Sequence, residues 1–237
     1  MSHLRVHRLG RIAYERALAM QEELVRRKLD GDEDDHLLLL EHEPVYTLGR
    51  GARSEDLLGA DERLGVPVFR VSRGGGVTYH GPGQLVAYPI VALAAQGRDV
   101  HRHVRQLETV VCAVLGALGI TARSRAAAGE RLTDTGEVGS PAHLTGVWVE
   151  NRKIASIGIG VRRWVAFHGL ALNVAPDLAY FRAIVPCAMP DVTMTSIEQE
   201  SGVAPPLSAV DELMERHFRA TFGYEGAAVS TAERLAP

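Results

Sequence analysis

The start of the chain shows the spacing of an amphipathic helix. Between residues 11 and 30, apolar side chains recur at helical intervals and so share one face. They are Ala13, Ala17, Met20, Leu24 and the stem of Lys28. Gly31 and the acidic residues after it predict that this helix ends in a solvated turn. A second helix is predicted from Asp99, which can cap the first turn, to Gly119, with a buried apolar face that includes Val100, Val104, Leu107, Val111, Val114, Leu115 and Leu118.

Short apolar runs bounded by glycine or proline predict the strands. They span residues 36–42, 66–71 and 84–93, then 145–151 and 153–161 as a hairpin that turns at Asn151-Arg152, and finally 164–174. Near the end of the chain, Ser208 and Asp211 have the spacing of a capped helix, which we expect to close at Gly223.

This order of elements is typical of an α+β fold in which helices flank a mixed, largely antiparallel sheet. We expect residues 1–237 to form a single domain. Residues 122–144 lose apolar periodicity and gain glycine, serine and charge, which indicates a surface excursion rather than a linker between domains.

The composition narrows the classes of function. A net charge of −3, from 26 basic and 29 acidic residues, gives no global basic field, so nucleic acid is not an expected partner. No apolar run approaches the roughly 20 residues that span a bilayer, and the charged first residues lack the apolar core of a signal peptide. With only two cysteines, a disulfide framework is not expected either. We therefore expect a cytoplasmic protein with reduced thiols and no membrane partner.

A glycine-rich loop is the first candidate for chemistry. Gly74, Gly75 and Gly76 permit positive φ and close backbone approach to a ligand, and residues 81–83, Gly-Pro-Gly, predict a second tight turn. The loop lacks the Gly-Lys-Ser/Thr ending of a phosphate-binding loop, and a strand rather than a helix follows it, unlike a dinucleotide-binding turn. The alternative is a bulged hairpin whose glycines only turn the chain.

A cysteine between two prolines is the second candidate. Cys187 has this rigid setting, whereas Cys112 lies on the apolar face of a predicted helix and is expected to be a small buried hydrophobe. A nucleophilic thiol needs a nearby cation, for which Lys153, His80 and His168 are candidates. Lys153 is one of only two lysines, and in a chain that otherwise uses arginine it indicates a need for a compact, titratable ammonium. An ordinary turn lysine remains an equal alternative on this ground.

Four stretches in order resemble the lipoyl(octanoyl) transferases, the octanoyl-[acyl-carrier-protein]:protein N-octanoyltransferases. They are residues 73–84 (RGGGVTYHGPGQ) followed by Tyr88, then 146–149 (GVWV), 153–158 (KIASIG) and 167–174 (FHGLALNV) followed by Pro186-Cys187. The resemblance covers about residues 36–200, and as an ordered set these motifs are highly specific.

The resemblance implies the fold of the biotin and lipoate protein ligases and an acyl transfer that uses Cys187 and Lys153. Cys187 would take the octanoyl group from the phosphopantetheine of acyl carrier protein as a thioester, and Lys153 would lower the pKa of the thiol and later accept a proton. The acceptor would be a lysine on a lipoyl domain of a 2-oxo acid dehydrogenase or on glycine cleavage H protein. Neither ATP nor a metal is implied, and we expect a monomer.

The resemblance also assigns the acyl-binding residues. They are Arg73, Gly74, Gly75, Gly76, Val77, Thr78, Tyr79, His80, Ser156, Ile157, Gly158, His168, Gly169, Leu170 and Ala171. On this reading the glycines give close backbone packing on a linear eight-carbon chain. Two departures from the family pattern are Ala188, where members often have glycine, and a long excursion at residues 122–144.

Three other functions stay open from the sequence. An ATP-dependent lipoate or biotin ligase would share the fold without needing Cys187. A thioester hydrolase built from Cys187 with His80 or His168 would use water as the acceptor. A lipid-binding module without catalysis would form no covalent adduct.

Overall fold

The three predicted helices form, and a short helix that was not predicted lies before the last one. The computed structural model describes residues 3–59, 64–125, 145–185 and 192–224. In these ranges the helices are α1 (Tyr14–Leu29), α2 (Val100–Ala117), α3 (Ile197–Ser201) and α4 (Leu207–Phe222), with short 3-10 helices at Ser54–Leu57, Leu93–Gln96 and Leu178–Ala183. The side chain of Asp99 accepts a hydrogen bond from the Arg102 amide, so the predicted cap of α2 is confirmed.

The strands build one large and one small sheet. They are β1 (Leu4–Ile12), β2 (Asp35–His42), β3 (Val45–Leu48), β4 (Val68–Arg70), β5 (Val77–His80), β6 (Gln84–Ala92), β7 (Arg123–Ser124), β8 (Gly146–Val149), β9 (Arg152–Arg162), β10 (Val165–Asn173) and β11 (Thr193–Met194). The large sheet has the order β1-β2-β6-β10-β9-β8-β7, with β11 on β9, and the small sheet has the order β4-β3-β5. Only the pairs β1–β2, β3–β4 and β9–β11 are parallel in the described part of the chain, so the predicted mixed, largely antiparallel sheet and the α+β class are confirmed.

The two faces of the large sheet bury different clusters. In β2, Leu37 and Leu39 pack in a cluster with α2 and α4, while Leu38 and Leu40 pack with α1 on the other face. Because successive strand residues point to opposite faces, the run of four leucines fits a strand covered on both sides. The pocket described below lies on the α1 face.

The glycine-rich loop lies between β4 and β5 of the small sheet, and the Gly-Pro-Gly turn after β5 connects the two sheets. Strand β5 pairs with β3 in the small sheet, whereas β6, directly after the Gly-Pro-Gly turn, lies in the large sheet. The amide of Gln84 donates to the carbonyl of Gly81, which confirms a tight turn there. Since β5 and β6 do not pair, the alternative of a bulged hairpin is wrong.

Two local predictions are wrong. Ser208 does not cap the last helix, which begins at Leu207 with Pro206 in the capping position. Pro206 has an extended backbone, from which the helix can start directly, and Asp211 instead lies 3.2 Å from the guanidinium of Arg8 on β1. The hairpin between β8 and β9 turns at Glu150 and Asn151, one residue earlier than predicted, because Glu150 adopts a left-handed conformation with φ of 51°.

Some predictions fall outside the described residues. Cys187, Ala188 and residues 126–144 of the predicted excursion are not among the residues that the structure describes. The single-domain organisation stays a prediction. Within the described ranges, no helix combines the length and apolar character needed to cross a bilayer.

Candidate active site

The glycine-rich loop lies directly on strand β9. The amide of Gly74 donates to the carbonyl of Ile159 at 2.9 Å. A Cβ atom on Gly158 would stand 2.8 Å from the Gly74 oxygen, so this approach requires the glycine at position 158. Gly75, with φ of +83°, has a left-handed conformation that other residues rarely adopt. Backbone therefore packs on backbone, and the loop forms the roof of a pocket.

The floor of this pocket consists of small residues on the α1 face of the large sheet. Ser156 pairs with Ala171 across β9 and β10, and Gly158 pairs with Gly169, so the four residues share one face. The residues around the pocket are Tyr14, Arg73, Gly75, Val77, Thr78, His80, Tyr88, Thr145, Ser156, Ile157, Gly158, His168, Gly169, Leu170 and Ala171. Small floor residues and a glycine roof leave a slot that suits a narrow, unbranched ligand.

Most of the residues predicted for the acyl site line this pocket, but three do not. Gly74 and Gly76 belong to the loop without bordering the pocket. The ring of Tyr79 points to the far side of the small sheet, where it stacks on Tyr180 with ring centres 4.5 Å apart. That the lining residues bind an acyl chain stays a prediction.

Three lining residues were not predicted as site residues. Tyr14 is the first residue of α1, and Thr145 directly precedes β8. Tyr88 follows the glycine-rich motif in the sequence and was noted only as part of the resemblance. No local pattern marks Tyr14, because its contact with the pocket depends on how α1 packs on the sheet.

Arg73 places a buried cation beside the pocket. Its side chain is 8% exposed, and its guanidinium donates to the carbonyl oxygen of Thr47 at 2.6 Å and to the Thr47 hydroxyl oxygen at 2.8 Å. It also donates to the Gly74 carbonyl at 2.9 Å. Arg73 thereby ties the glycine-rich loop to β3, and its charge helps to lower the pKa of nearby histidines.

The hydrogen bonds of Gln84 determine the tautomer of His80. The Gln84 amide nitrogen donates to the Tyr79 carbonyl, so the Gln84 side-chain oxygen must be the acceptor facing His80 Nδ1 at 2.8 Å. His80 therefore donates through Nδ1 and accepts through Nε2, which lies 3.3 Å from the Thr47 hydroxyl. Complete burial, helped by the positive neighbours, lowers the pKa of His80 well below its ordinary value. With both ring nitrogens engaged and the ring neutral, His80 is poorly placed to act as a base.

The same network continues to the strand that carries Lys153. Gln84 donates to the side-chain oxygen of Asn173 at 2.9 Å, and Asn173 donates to the Thr195 carbonyl at 2.9 Å. The Thr195 amide in turn donates to the Lys153 carbonyl at 3.0 Å. A continuous path of buried hydrogen bonds thus connects the glycine-rich loop with Lys153, and it holds the two parts of the site in a fixed relation.

The remaining ring groups near the pocket are also neutral at physiological pH. Burial lowers the pKa of His168 to about 4 and that of His42 to about 4. His42 Nδ1 faces the Ile12 carbonyl and must donate to it, so His42 Nε2 accepts the hydroxyl proton of Tyr88 at 2.9 Å. His168 has a left-handed backbone with φ of 57°, and its amide donates to the side chain of Gln21. A left-handed backbone is unfavourable for histidine, so the surrounding structure must hold His168 in this conformation next to the pocket.

Lys153 is buried at the other end of the small-residue floor. Lys153 is 1% exposed, and its ammonium lies 5.4 Å from the ring centre of Trp148. A Cβ atom on Gly146 would stand 2.7 Å from Lys153 Cε and 3.4 Å from Nζ. Thr145, the residue before Gly146, lines the pocket. Lys153 itself does not line the pocket, but the end of its side chain packs against Gly146, which pairs with the lining residue Ser156.

Of the two cysteines, Cys112 lies within the described residues and Cys187 lies outside them. Cys112 is half-buried in α2 against the cluster of that face, and burial raises the pKa of its thiol to about 11. A raised pKa makes the thiol a poor nucleophile near neutral pH, but Cys112 is half-buried and not the fully buried hydrophobe that the sequence predicted. The segment that contains Cys187 is bounded by two described residues, Val185 and Val192. Soon after it, Met194 pairs directly with Lys153 in the β9–β11 ladder.

Metal binding has little support in the described part of the chain. In those ranges no three His, Cys, Asp or Glu side chains are grouped as a metal site requires. The pocket offers one buried guanidinium and neutral rings, which suit a carbonyl oxygen and an alkyl chain better than a cation.

Comparison with known proteins agrees with the sequence motifs. Residues 13–219 match the family model described as the lipoyl protein ligase A/B catalytic domain. An octanoyltransferase of Solibacter usitatus is 45% identical over 235 residues, covering 96% of this chain and 98% of the relative. An octanoyltransferase of Geobacter sp. (strain M21) is 48% identical over 194 residues, covering 82% and 85%.

Solved structures extend the likeness to the fold. A lipoate-protein ligase A bound with ATP superposes with a TM-score of 0.73 at 20% identity, covering 94% of this chain and 86% of that one. A bipartite lipoate protein ligase studied with its E2 lipoyl domain, from Thermoplasma acidophilum, gives a TM-score of 0.69 at 20% identity, covering 96% and 86%. The expected lipoate-ligase fold is confirmed.

Proposed function

We propose a mechanism from the premise that this chain belongs to the lipoyl protein ligase A/B catalytic domain family and is an enzyme that transfers octanoyl groups in protein lipoylation. The octanoyl donor is the phosphopantetheine thioester of acyl carrier protein. The group passes through a thioester on Cys187 to the ε-amine of a lysine on a lipoyl domain of a 2-oxo acid dehydrogenase or on glycine cleavage H protein. The enzyme acts as a cytoplasmic monomer.

The chemistry consists of two acyl transfers. In the first, the Cys187 thiolate attacks the donor carbonyl, a new carbon–sulfur bond forms, and the pantetheine sulfur leaves and takes a proton from the Lys153 ammonium, which becomes neutral. In the second, the acceptor amine attacks the Cys187 thioester, the amide bond forms, and the thiolate leaves. Neutral Lys153 accepts the proton that the amine loses. The thioester already carries the energy for amide formation, so neither ATP nor a metal takes part.

The position of Lys153 is the observation that carries this proposal. Lys153 is buried, the end of its side chain packs against Gly146, which directly follows the lining residue Thr145, and Met194 pairs with Lys153 in the sheet. Cys187 is seven residues before Met194 in the chain, and seven residues reach at most about 25 Å. A buried cation near the thiol favours the thiolate, and an ammonium can later lose a proton, which a guanidinium cannot.

The pocket supports the choice of substrate. Three residue-to-residue steps along β9, from Ser156 to Ile159, span about 10 Å, which is the length scale of an extended eight-carbon acyl chain. The chain would lie on the floor of small residues, under the roof of the glycine-rich loop. The neutral, fully hydrogen-bonded state of His80 argues against a hydrolase in which His80 activates the thiol or a water molecule.

Intact mass spectrometry of the enzyme mixed with octanoyl-acyl carrier protein tests the proposal. We expect wild type to gain one octanoyl group, which a lipoyl domain then removes. Cys187→Ala should gain none and transfer none, whereas the matched control Cys112→Ala should stay within a few fold of wild type. Transfer by folded Cys187→Ala, or an adduct only when ATP and free octanoate are supplied, would contradict the mechanism.

A further inference from the structure

A buried carboxyl group next to the site has no role in the mechanism above. Glu108 lies on the apolar face of α2 and is 1% exposed. A polar group in this setting is costly unless its atoms are hydrogen-bonded. Glu108 Oε1 accepts the amide of Gly146 at 3.1 Å, and Oε2 accepts the hydroxyl of Ser124 at 2.6 Å. One carboxyl group thus joins α2 to the start of β8 and to β7.

The residue that Glu108 holds is the one against which Lys153 packs. Gly146 has φ of +134°, and an added Cβ atom would stand 2.5 Å from the Ala155 carbonyl oxygen and 2.7 Å from Lys153 Cε. The backbone of Gly146 is therefore a wall in close contact with the end of the lysine side chain. Any shift of Gly146 moves this wall.

The pairing of β8 with β9 is irregular at the same place. Val147 pairs with Ala155 but Trp148 pairs with Lys153, so Ile154 is an extra residue in the ladder. Bulges of this kind re-aim side chains near active sites and weaken the local ladder. The indole of Trp148 lies under two cations, with Lys153 Nζ at 5.4 Å and the Arg125 guanidinium at 5.0 Å from its centre. A weakened ladder that carries a catalytic lysine needs support from outside the sheet, and Glu108 supplies it.

We propose that Glu108 is a positioning residue, which fixes Gly146 through a hydrogen bond and thereby holds the ammonium of Lys153 in its catalytic place. This inference rests on the proposed role of Lys153. Glu108 acts through the geometry of its hydrogen bonds, so a neutral side chain of the same shape should replace it. In Glu108→Gln, the amide oxygen can accept from Gly146 and the amide nitrogen can donate to the Ser124 oxygen.

The test compares Glu108→Ala, Glu108→Gln and a control, Glu215→Ala. Glu215 is also a buried helix carboxyl group, 7% exposed, but its partners are Arg219 on α4 itself and Arg8 on β1, a strand at the opposite edge of the large sheet from β7. For each variant, kcat and the donor KM of octanoyl transfer are measured, together with the rate of Cys187 alkylation by iodoacetamide against pH.

We expect Glu108→Ala to lower kcat about 10- to 100-fold, as small misplacements of catalytic groups do, with the donor KM changed less than about threefold. Its alkylation profile should move to higher pH. Glu108→Gln should restore kcat to within about threefold of wild type, and Glu215→Ala should lose stability without a change in the profile. Wild-type kcat and profile in folded Glu108→Ala would overturn the inference, and so would an equal defect in Glu108→Gln, which would assign the effect to charge.

Gly146→Ala keeps the test decisive if Glu108→Ala does not fold. It leaves Glu108 in place but adds the Cβ atom that would meet Lys153, so the same fall in kcat and the same shift of the profile are expected. Unchanged kinetics in Gly146→Ala would overturn the inference. Failure of the underlying mechanism looks different, because wild type itself would then form no octanoyl adduct.

Discussion

The two lysines of this chain are both buried, but their surroundings differ in kind. The side chain of Lys28 is 4% exposed, and its ammonium lies 3.0 Å from the carboxylate of Asp35. Asp35 also accepts the hydroxyl of Tyr224 at 2.8 Å. Lys153 instead has the Gly146 backbone and the face of the Trp148 ring around its ammonium, next to a pocket.

The difference shows how far the low lysine content of the chain can identify a functional lysine. Lys28 and Lys153 are the two lysines in a chain whose other basic residues are arginines and histidines, so the low lysine content applies to both. Lys28 lies in the last turn of α1 and forms an ion pair with Asp35, the first residue of β2. Lys153 packs against Gly146, which directly follows the pocket-lining residue Thr145. Rarity alone therefore does not separate the two lysines, whereas their surroundings do.

The largest effect is expected at Lys153. Lys153→Ala removes both the cation and the proton acceptor, and general acid–base groups contribute about 10²- to 10⁴-fold, so kcat for transfer should fall by at least about 10²-fold. Lys153→Arg keeps the charge but cannot lose a proton, so the octanoyl adduct should still form while transfer to the amine is lost. Intact mass and acceptor assays on both variants check this. An Arg variant that transfers normally would show that Lys153 is not the proton acceptor.

The pocket beside Lys153 should be nearly as sensitive. In Gly158→Val, the added atoms meet the Gly74 carbonyl, which a Cβ alone would approach to 2.8 Å, and the loop must shift. We expect kcat/KM to fall about 10²-fold, as for other misplacements near one ångström. Gly116→Ala, on an open surface of α2, is the control and should be unchanged. A variant at position 158 that loses stability but not activity would mean that the slot does not hold the acyl chain.

Lys28 should matter for stability and not for catalysis. Removing one partner of a buried ion pair costs about 3–5 kcal/mol, because the other charge remains buried without compensation. Lys28→Ala should therefore lower the free energy of unfolding by that amount in denaturant titration, while kcat of the folded enzyme stays within about twofold of wild type. A comparable fall in kcat would remove the contrast between the two lysines.

The smallest effect is a pH dependence of stability that arises from His103, which lies near the Lys28–Asp35 ion pair. Burial lowers the pKa of His103 to about 4, from an ordinary value of 6.5, and Asp35 is its charged neighbour. Below pH 6.5 the unfolded chain binds a proton that folded His103 does not, so the free energy of unfolding falls as the pH drops towards 4. Each such histidine contributes up to about 1.4 kcal/mol per pH unit. His103→Leu should flatten this slope without changing kcat, and an unchanged slope would contradict it.

Periodicity predicted the longer helices and most strands of the large sheet, because it follows from the face that each element buries, but it missed β1, β3 and β5. The helix after Asp99 and the strands at residues 36–42 and 84–93 were predicted within one or two residues. The cap of the last helix was predicted wrongly, since Pro206 starts the helix by its backbone conformation and not through a side-chain hydrogen bond. The separation of β5 and β6 into two sheets depends on long-range pairing, which no local pattern contains.

Motifs predicted the lining of the pocket better than its supports. Residues adjacent in the chain, such as those of the glycine-rich loop, appear together in a motif, but Tyr14 reaches the pocket only through packing of α1. Glu108 did leave a signal in the sequence. A glutamate between Leu107 and Val111, on the apolar face of a predicted helix, indicates a buried carboxyl group with partners elsewhere.

The most direct measurement of the central claim is the rate of Cys187 alkylation by iodoacetamide against pH, read by peptide mass spectrometry. The account predicts that wild type reacts with a midpoint below ~8.5, the pKa of a free cysteine, and that the midpoint rises in Lys153→Ala. Lys153→Arg should stay near wild type, and the control Lys28→Arg should superimpose on it. Superimposable profiles for wild type and Lys153→Ala would contradict the claim that Lys153 activates the thiol.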